Sequence, residues 1–69
     1  MNYVELELQL SSEFTEIITA ELAEINFESF VETEEGIQAY IQEELFVEAD
    51  LTELLQKYQN ITPITSSFQ

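Results

Sequence analysis

Fifteen of the 69 residues are Asp or Glu, against one Lys, no Arg and no His, so side-chain chemistry in this chain would have to be carboxylate chemistry. Paired carboxylates act as general acid and base when their surroundings separate their pKa values, and His is the usual companion for moving protons near neutral pH. A two-layer domain of this length has little room for the cleft that paired glycosidase carboxylates flank. The Ser and Thr residues have no neighbouring base to activate them. Glu34-Glu35-Gly36 offers too few alternating oxygen ligands for a calcium loop. With no Cys, disulfides, thiol nucleophiles and zinc-thiolate sites are excluded, and the single Gly cannot make a Gly-rich phosphate fingerprint. The chain is therefore expected to hold no catalytic, cofactor-binding or metal-binding residues.

A net charge of -14 points elsewhere. It costs stability by self-repulsion, disfavours phosphate backbones as partners and complements a basic protein surface. Solubility alone rarely calls for more than about eight net charges on a small domain. The composition is that of a folding chain, 45% hydrophobic and 12% aromatic, unlike disordered acidic tails. The N-terminal MNYVELELQL has no basic region and is not read as a signal peptide. No apolar run approaches the roughly 20 residues needed to span a bilayer, and the lack of basic residues disfavours anionic lipid surfaces. A soluble, cytoplasmic monomer is the expectation, binding neither nucleic acid nor membrane.

The elements that would position a binding surface follow from periodicity. Asn2 to Leu10 alternate strictly: Val4, Leu6, Leu8 and Leu10 point one way, and Tyr3, Glu5, Glu7 and Gln9 the other, as in a half-buried strand. Ser11 and Ser12 are candidate N-caps for a helix carrying Phe14, Ile17, Ile18, Leu22 and Ile25 at helical spacing. Glu21 falls inside that apolar arc, either as a buried carboxylate with a raised pKa or as a side chain reaching past the edge of the sheet; the second is favoured. Asn26 stands where a helix end needs a left-handed residue, with Phe27 folding back on the last turn. Ser29 to Thr33 and Ile37 to Ile41 read as strands joined by Glu34-Glu35-Gly36, a spacing that suits a type I turn with a Gly bulge. Leu51, Leu54, Leu55 and Tyr58 mark a second helix, extended backwards by Val47. Asp50 and Glu53 have capping-box spacing for its start, with Glu44 to Glu48 as an earlier turn, and Lys57 complements its dipole. Beyond Asn60, Pro63 restricts any strand to an edge or to the residues after it; residues 60–69 are compatible with an edge strand, a linker or a frayed tail.

The order, strand-helix-strand-strand-helix with or without a final edge strand, predicts one domain over residues 1–69. Its class is α+β: a ferredoxin-like split βαβ sandwich with two helices on one face of an antiparallel sheet. The opposite face would then carry Tyr3, Glu5 and Glu7 from the first strand with Gln38 and Tyr40 from the third. Rings mixed with carboxylates on an uncovered sheet suit a basic protein partner. These five residues are the candidate partner-binding face.

The stretch from Ala20 to Ile41, AELAEINFESFVETEEGIQAYI, preceded by NYVELEL and followed by EELF, resembles the N-terminal domain of the ribosomal protein L11 methyltransferase (PrmA) family, most of all its Bacteroidetes-like members. The resemblance runs from Met1 to about Leu55 and is strongest from Leu22 to Ile41; Asn26 stands where the family commonly has Gly. It implies a non-catalytic, ferredoxin-like domain that recognises a large-subunit ribosomal protein. In the family that domain is tethered to a separate domain which binds S-adenosylmethionine and methylates amino groups. This chain is then expected to be an excised recognition domain with no cofactor of its own. The alternative is a free-standing acidic regulator that occupies a nucleic-acid-binding protein by mimicking phosphate charge.

Overall fold

The computed structural model describes residues 2–69; Met1, the first residue of the expected domain, lies outside the described residues. The chain folds as β1 (Tyr3–Gln9), α1 (Thr15–Glu24), β2 (Ser29–Glu32), β3 (Gly36–Gln42), α2 (Glu48–Gln59) and β4 (Thr65–Phe68). Short 3-10 turns at Ser12–Phe14 and Glu43–Leu45 lead into the two helices. The architecture is α+β, a four-stranded antiparallel sheet in the order β2-β3-β1-β4 with two helices.

The alternation in β1 sorts its side chains as the period of two requires. Val4, Leu6 and Leu8 are buried, and so are Ile37, Ala39 and Ile41 opposite them on β3. Ile18 and Leu22 of α1, Leu51, Leu54 and Leu55 of α2, and Phe27 and Ile64 from the connections complete one core. Burial of each large aliphatic side chain stabilises the fold by about 1.5–3 kcal/mol, which is how so small a domain offsets its chain entropy.

Three helix details depart from the periodicity reading. Ile17 is exposed: with Ile18 and Leu22 aimed at the sheet, Ile17 lies about 100° round the helix and falls at its solvent boundary. Val47 does not extend the stripe of α2; it is the extended N-cap residue and is half exposed. Asp50 is not the cap, because the helix begins two residues earlier at Glu48 and Asp50 sits in its first turn, where the dipole still favours an anion.

The end of α1 follows the expectation. Asn26 has φ 80°, the left-handed region, and the Phe27 and Asn26 amides donate to the carbonyls of Leu22 and Ala23 at 3.1 and 3.3 Å. That is the Schellman pattern, with Phe27 and Leu22 both buried in the core beneath it.

The β2-β3 loop is different from the expected Gly bulge. Gly36 does not have positive φ. Its amide donates to the Thr33 side-chain hydroxyl at 3.0 Å while the Thr33 amide donates to the Gly36 carbonyl at 2.8 Å, which closes the hairpin without a left-handed residue. The need for glycine is steric. A Cβ at position 36 would overlap the Leu8 carbonyl oxygen of β1 and approach Leu10 Cδ2 to 2.9 Å.

Of the three possibilities for residues 60–69, the edge strand is the one formed. β4 begins two residues after Pro63 and pairs with β1 through Leu6–Phe68 and Gln9–Thr65.

Candidate functional site

The two central strands carry the five candidate residues on one surface. Register fixes which of them meet: Glu5 is opposite Tyr40 and Glu7 is opposite Gln38. Both cross-strand pairs are hydrogen-bonded, Tyr40 donating its hydroxyl to Glu5 Oε1 at 3.1 Å and Gln38 donating Nε2 to Glu7 Oε2 at 3.2 Å. Tyr3 lies further along β1, opposite Gln42, and is half exposed.

The Tyr40 phenol acts as a donor to Glu5. Hydrogen bonding to Glu5, aided by slight desolvation and the negative charge, pushes the Tyr40 hydroxyl above its usual pKa, and Glu28 does the same to Tyr3. Each ring is thus held protonated beside an acid. The arrangement presents flat apolar ring area next to oriented negative charge, which is how a surface recognises cationic side chains and the apolar stems that carry them.

Pairing adds residues that one-strand alternation could not supply. Ser29 and Val31 of β2 are opposite Tyr40 and Gln38, so they share the open face, and Val31 is half exposed there. Ser67 and Thr65 of β4 are opposite Glu7 and Gln9. Gln9 donates Nε2 to Glu35 Oε2 at 3.0 Å, joining the face to the hairpin loop. The signal for Val31 was present in the sequence: Phe30 and Val31 must face opposite ways, and only one can enter the core.

Glu21 lies on the other layer. It is not a buried acid with a raised pKa. Lys57 of α2 donates to its Oε1 at 2.8 Å and the Tyr58 hydroxyl donates to its Oε2, so the carboxyl is held below the usual glutamate range. With Glu24, Asp50 and Glu53 it lines an open groove of about 240 Å³ between the helices, which Lys57 also borders. Among the described residues no group of three or more Asp and Glu side chains is placed to hold a metal ion. No helix of the described residues is long and apolar enough to cross a membrane.

Comparison with known proteins gives one partial match. A ribosomal protein L11 methyltransferase from Phocaeicola vulgatus is 51% identical over 43 residues, which are 62% of this chain and 15% of that protein. This chain contains a region related to that methyltransferase. The match spans a small fraction of the relative's length, far short of a whole enzyme. No protein-family model matches the chain, and no solved structure does.

Proposed function

We propose that this chain is a recognition domain which binds a basic ribosomal protein through the open face of its sheet, as the substrate-binding part of a ribosomal protein methyltransferase. The observation that carries the reading is that face: two carboxylates, each oriented by a cross-strand donor, beside the half-exposed Tyr3 ring and the part-buried Tyr40 ring on a chain of net charge -14. The partial relationship to a ribosomal protein L11 methyltransferase supports ribosomal protein L11 as the partner. The strand order β2-β3-β1-β4, with a helix in each crossover and a single core, supports a ferredoxin-like assignment. On this reading the domain acts as a monomer in the cytoplasm, and S-adenosylmethionine and the methyl transfer belong to a separate domain.

Electrostatic complementarity of this kind gives association rate and orientation more than raw affinity, so binding should be weak and salt-sensitive. Titrating isotope-labelled protein with ribosomal protein L11 should shift the amide resonances of Tyr3, Glu5, Glu7, Gln38 and Tyr40, more strongly at low ionic strength. Shifts confined to the helices, or none at millimolar concentration, would refute the assignment of this face.

A further inference from the structure

All sixteen charged side chains lie between Glu5 and Lys57, and the twelve residues from Tyr58 to Gln69 carry none. That neutral segment ends in β4, one of the two edges of the sheet. The edges are treated differently. Proteins commonly blunt exposed edges with charge, and β2 ends in Glu32 and follows directly on Glu28, whereas β4 reads Thr-Ser-Ser-Phe.

The register shows what the bare edge offers. Glu5 and Gln69 exchange both main-chain hydrogen bonds, each at 3.1 Å, so Glu7–Ser67 and Gln9–Thr65 are the next hydrogen-bonded pairs. Ser66 and Phe68 alternate with them and turn their N–H and C=O groups away from β1, outward along the free edge. Their side chains are opposite Leu8 and Leu6, on the helix side of the sheet. There the Phe68 ring, 43% exposed, meets Phe46 edge to face at 5.2 Å between ring centres. Phe46 is flanked in the chain by Leu45 and Val47, both substantially exposed. The edge therefore combines open backbone groups with an apolar shelf on one side and the acidic open face on the other.

We infer that β4 accepts, as an added fifth strand, an extended segment of the basic partner in which apolar residues alternate with Lys or Arg. Alternation follows from the geometry, since successive side chains of an added strand point to opposite faces. The apolar set lands on Phe68 and Phe46. The basic set lands on the open-face side, about 10 Å or two strand spacings from Glu7, within reach of two long side chains. Main-chain pairing supplies the affinity and the two faces supply the selectivity. A second copy of this chain is the poorer occupant, because two bodies of charge -14 repel each other and a four-residue edge offers few bonds to offset that. The inference rests on the reading of the open face as a protein-binding surface.

The test uses two short peptides of equal composition, one alternating Lys with Val and one with Lys and Val in separate blocks. The alternating peptide should saturably shift the Ser66, Ser67 and Phe68 amide resonances and slow hydrogen exchange at Ser66 and Phe68. Ser66→Pro removes an outward N–H that the fold does not use and should weaken this binding at least about tenfold with an unchanged melting temperature. Phe68→Thr, which removes one of the two rings of the shelf and leaves the strand backbone intact, should weaken it in the same direction. Shifts limited to Glu5, Glu7 and Tyr40 without slowed exchange in β4 would overturn the added strand and leave the open-face reading standing. Equal effects of the two peptides on β4 would overturn the alternation. Concentration-dependent protection of Ser66 and Phe68 without peptide would make a second copy the occupant and overturn the inference, and no binding at either surface would overturn both readings.

Discussion

Lys57, the one cation in the chain, sets its Nζ 2.8 Å from Oε1 of Glu21, and Tyr58 hands its hydroxyl to the other oxygen of the same carboxylate. Residues 36 and 37 positions apart are thereby tied across the two helices on the face of the molecule away from the open sheet.

That tie has a pH signature. The bonds from Lys57 and then Tyr58 hold the folded-state pKa of Glu21 below its unfolded value. A depressed carboxylate contributes stability that is present above the unfolded pKa and lost as pH falls through the lower folded one. Lys57 and Tyr58 are both raised, chiefly by hydrogen bonding to Glu21, so their side of the contribution is lost only as pH rises beyond their usual ranges. Glu21→Gln should therefore lower the melting temperature modestly at neutral pH, with the difference from the parent shrinking below the ordinary glutamate range. A difference that stays constant down to strong acid would contradict the tie.

Two backbone positions give opposite responses to a methyl group and its absence. Asn26→Gly should be neutral or stabilising by up to about 1 kcal/mol, because the left-handed φ is free for glycine, while Asn26→Ala should cost about 1–2 kcal/mol. Gly36→Ala should cost about 1–3 kcal/mol, because the new Cβ drives β3 against the Leu8 carbonyl. Urea denaturation of the three variants measures this. A harmless Gly36→Ala would show that β1 and β3 are not so closely apposed.

The legible part of the fold was what period and chemistry fix locally. Val4, Leu6 and Leu8 in β1 and Leu51, Leu54 and Leu55 in α2 are buried as their spacing requires, and Asn26 caps α1 as its side chain allows. What stayed hidden depended on a second element. The demand for Gly36 comes from the backbone of β1, which lies 28 positions earlier at Leu8, and not from the turn that its neighbours suggest. Glu21 looked misplaced because its partners belong to α2. Helical spacing puts Ile17 on the apolar arc, but spacing alone does not say where a 100° neighbour meets solvent. The candidate face was legible from β1 and β3 because alternation assigns sides. Val31 and Ser67 joined it only when strand pairing placed β2 and β4 alongside.

Charge makes a prediction that needs no partner. With -14 spread over an exposed surface, added salt should raise the melting temperature between low and moderate ionic strength, as the screening length shortens to about 10 Å at 0.1 M. A melting temperature independent of salt over that range would mean that the acids do not repel one another appreciably in the folded state.

The most direct measurement compares two charge-matched double variants by calorimetric titration with ribosomal protein L11 at low salt. Glu5→Gln with Glu7→Gln removes two carboxylates from the open face, and Glu48→Gln with Glu53→Gln removes two exposed ones from α2. Recognition by the face predicts that the first pair loses at least about tenfold in affinity while the second loses less than about threefold. Equal losses in the two would show that the partner responds to net charge alone, and would contradict a binding surface built on β1 and β3.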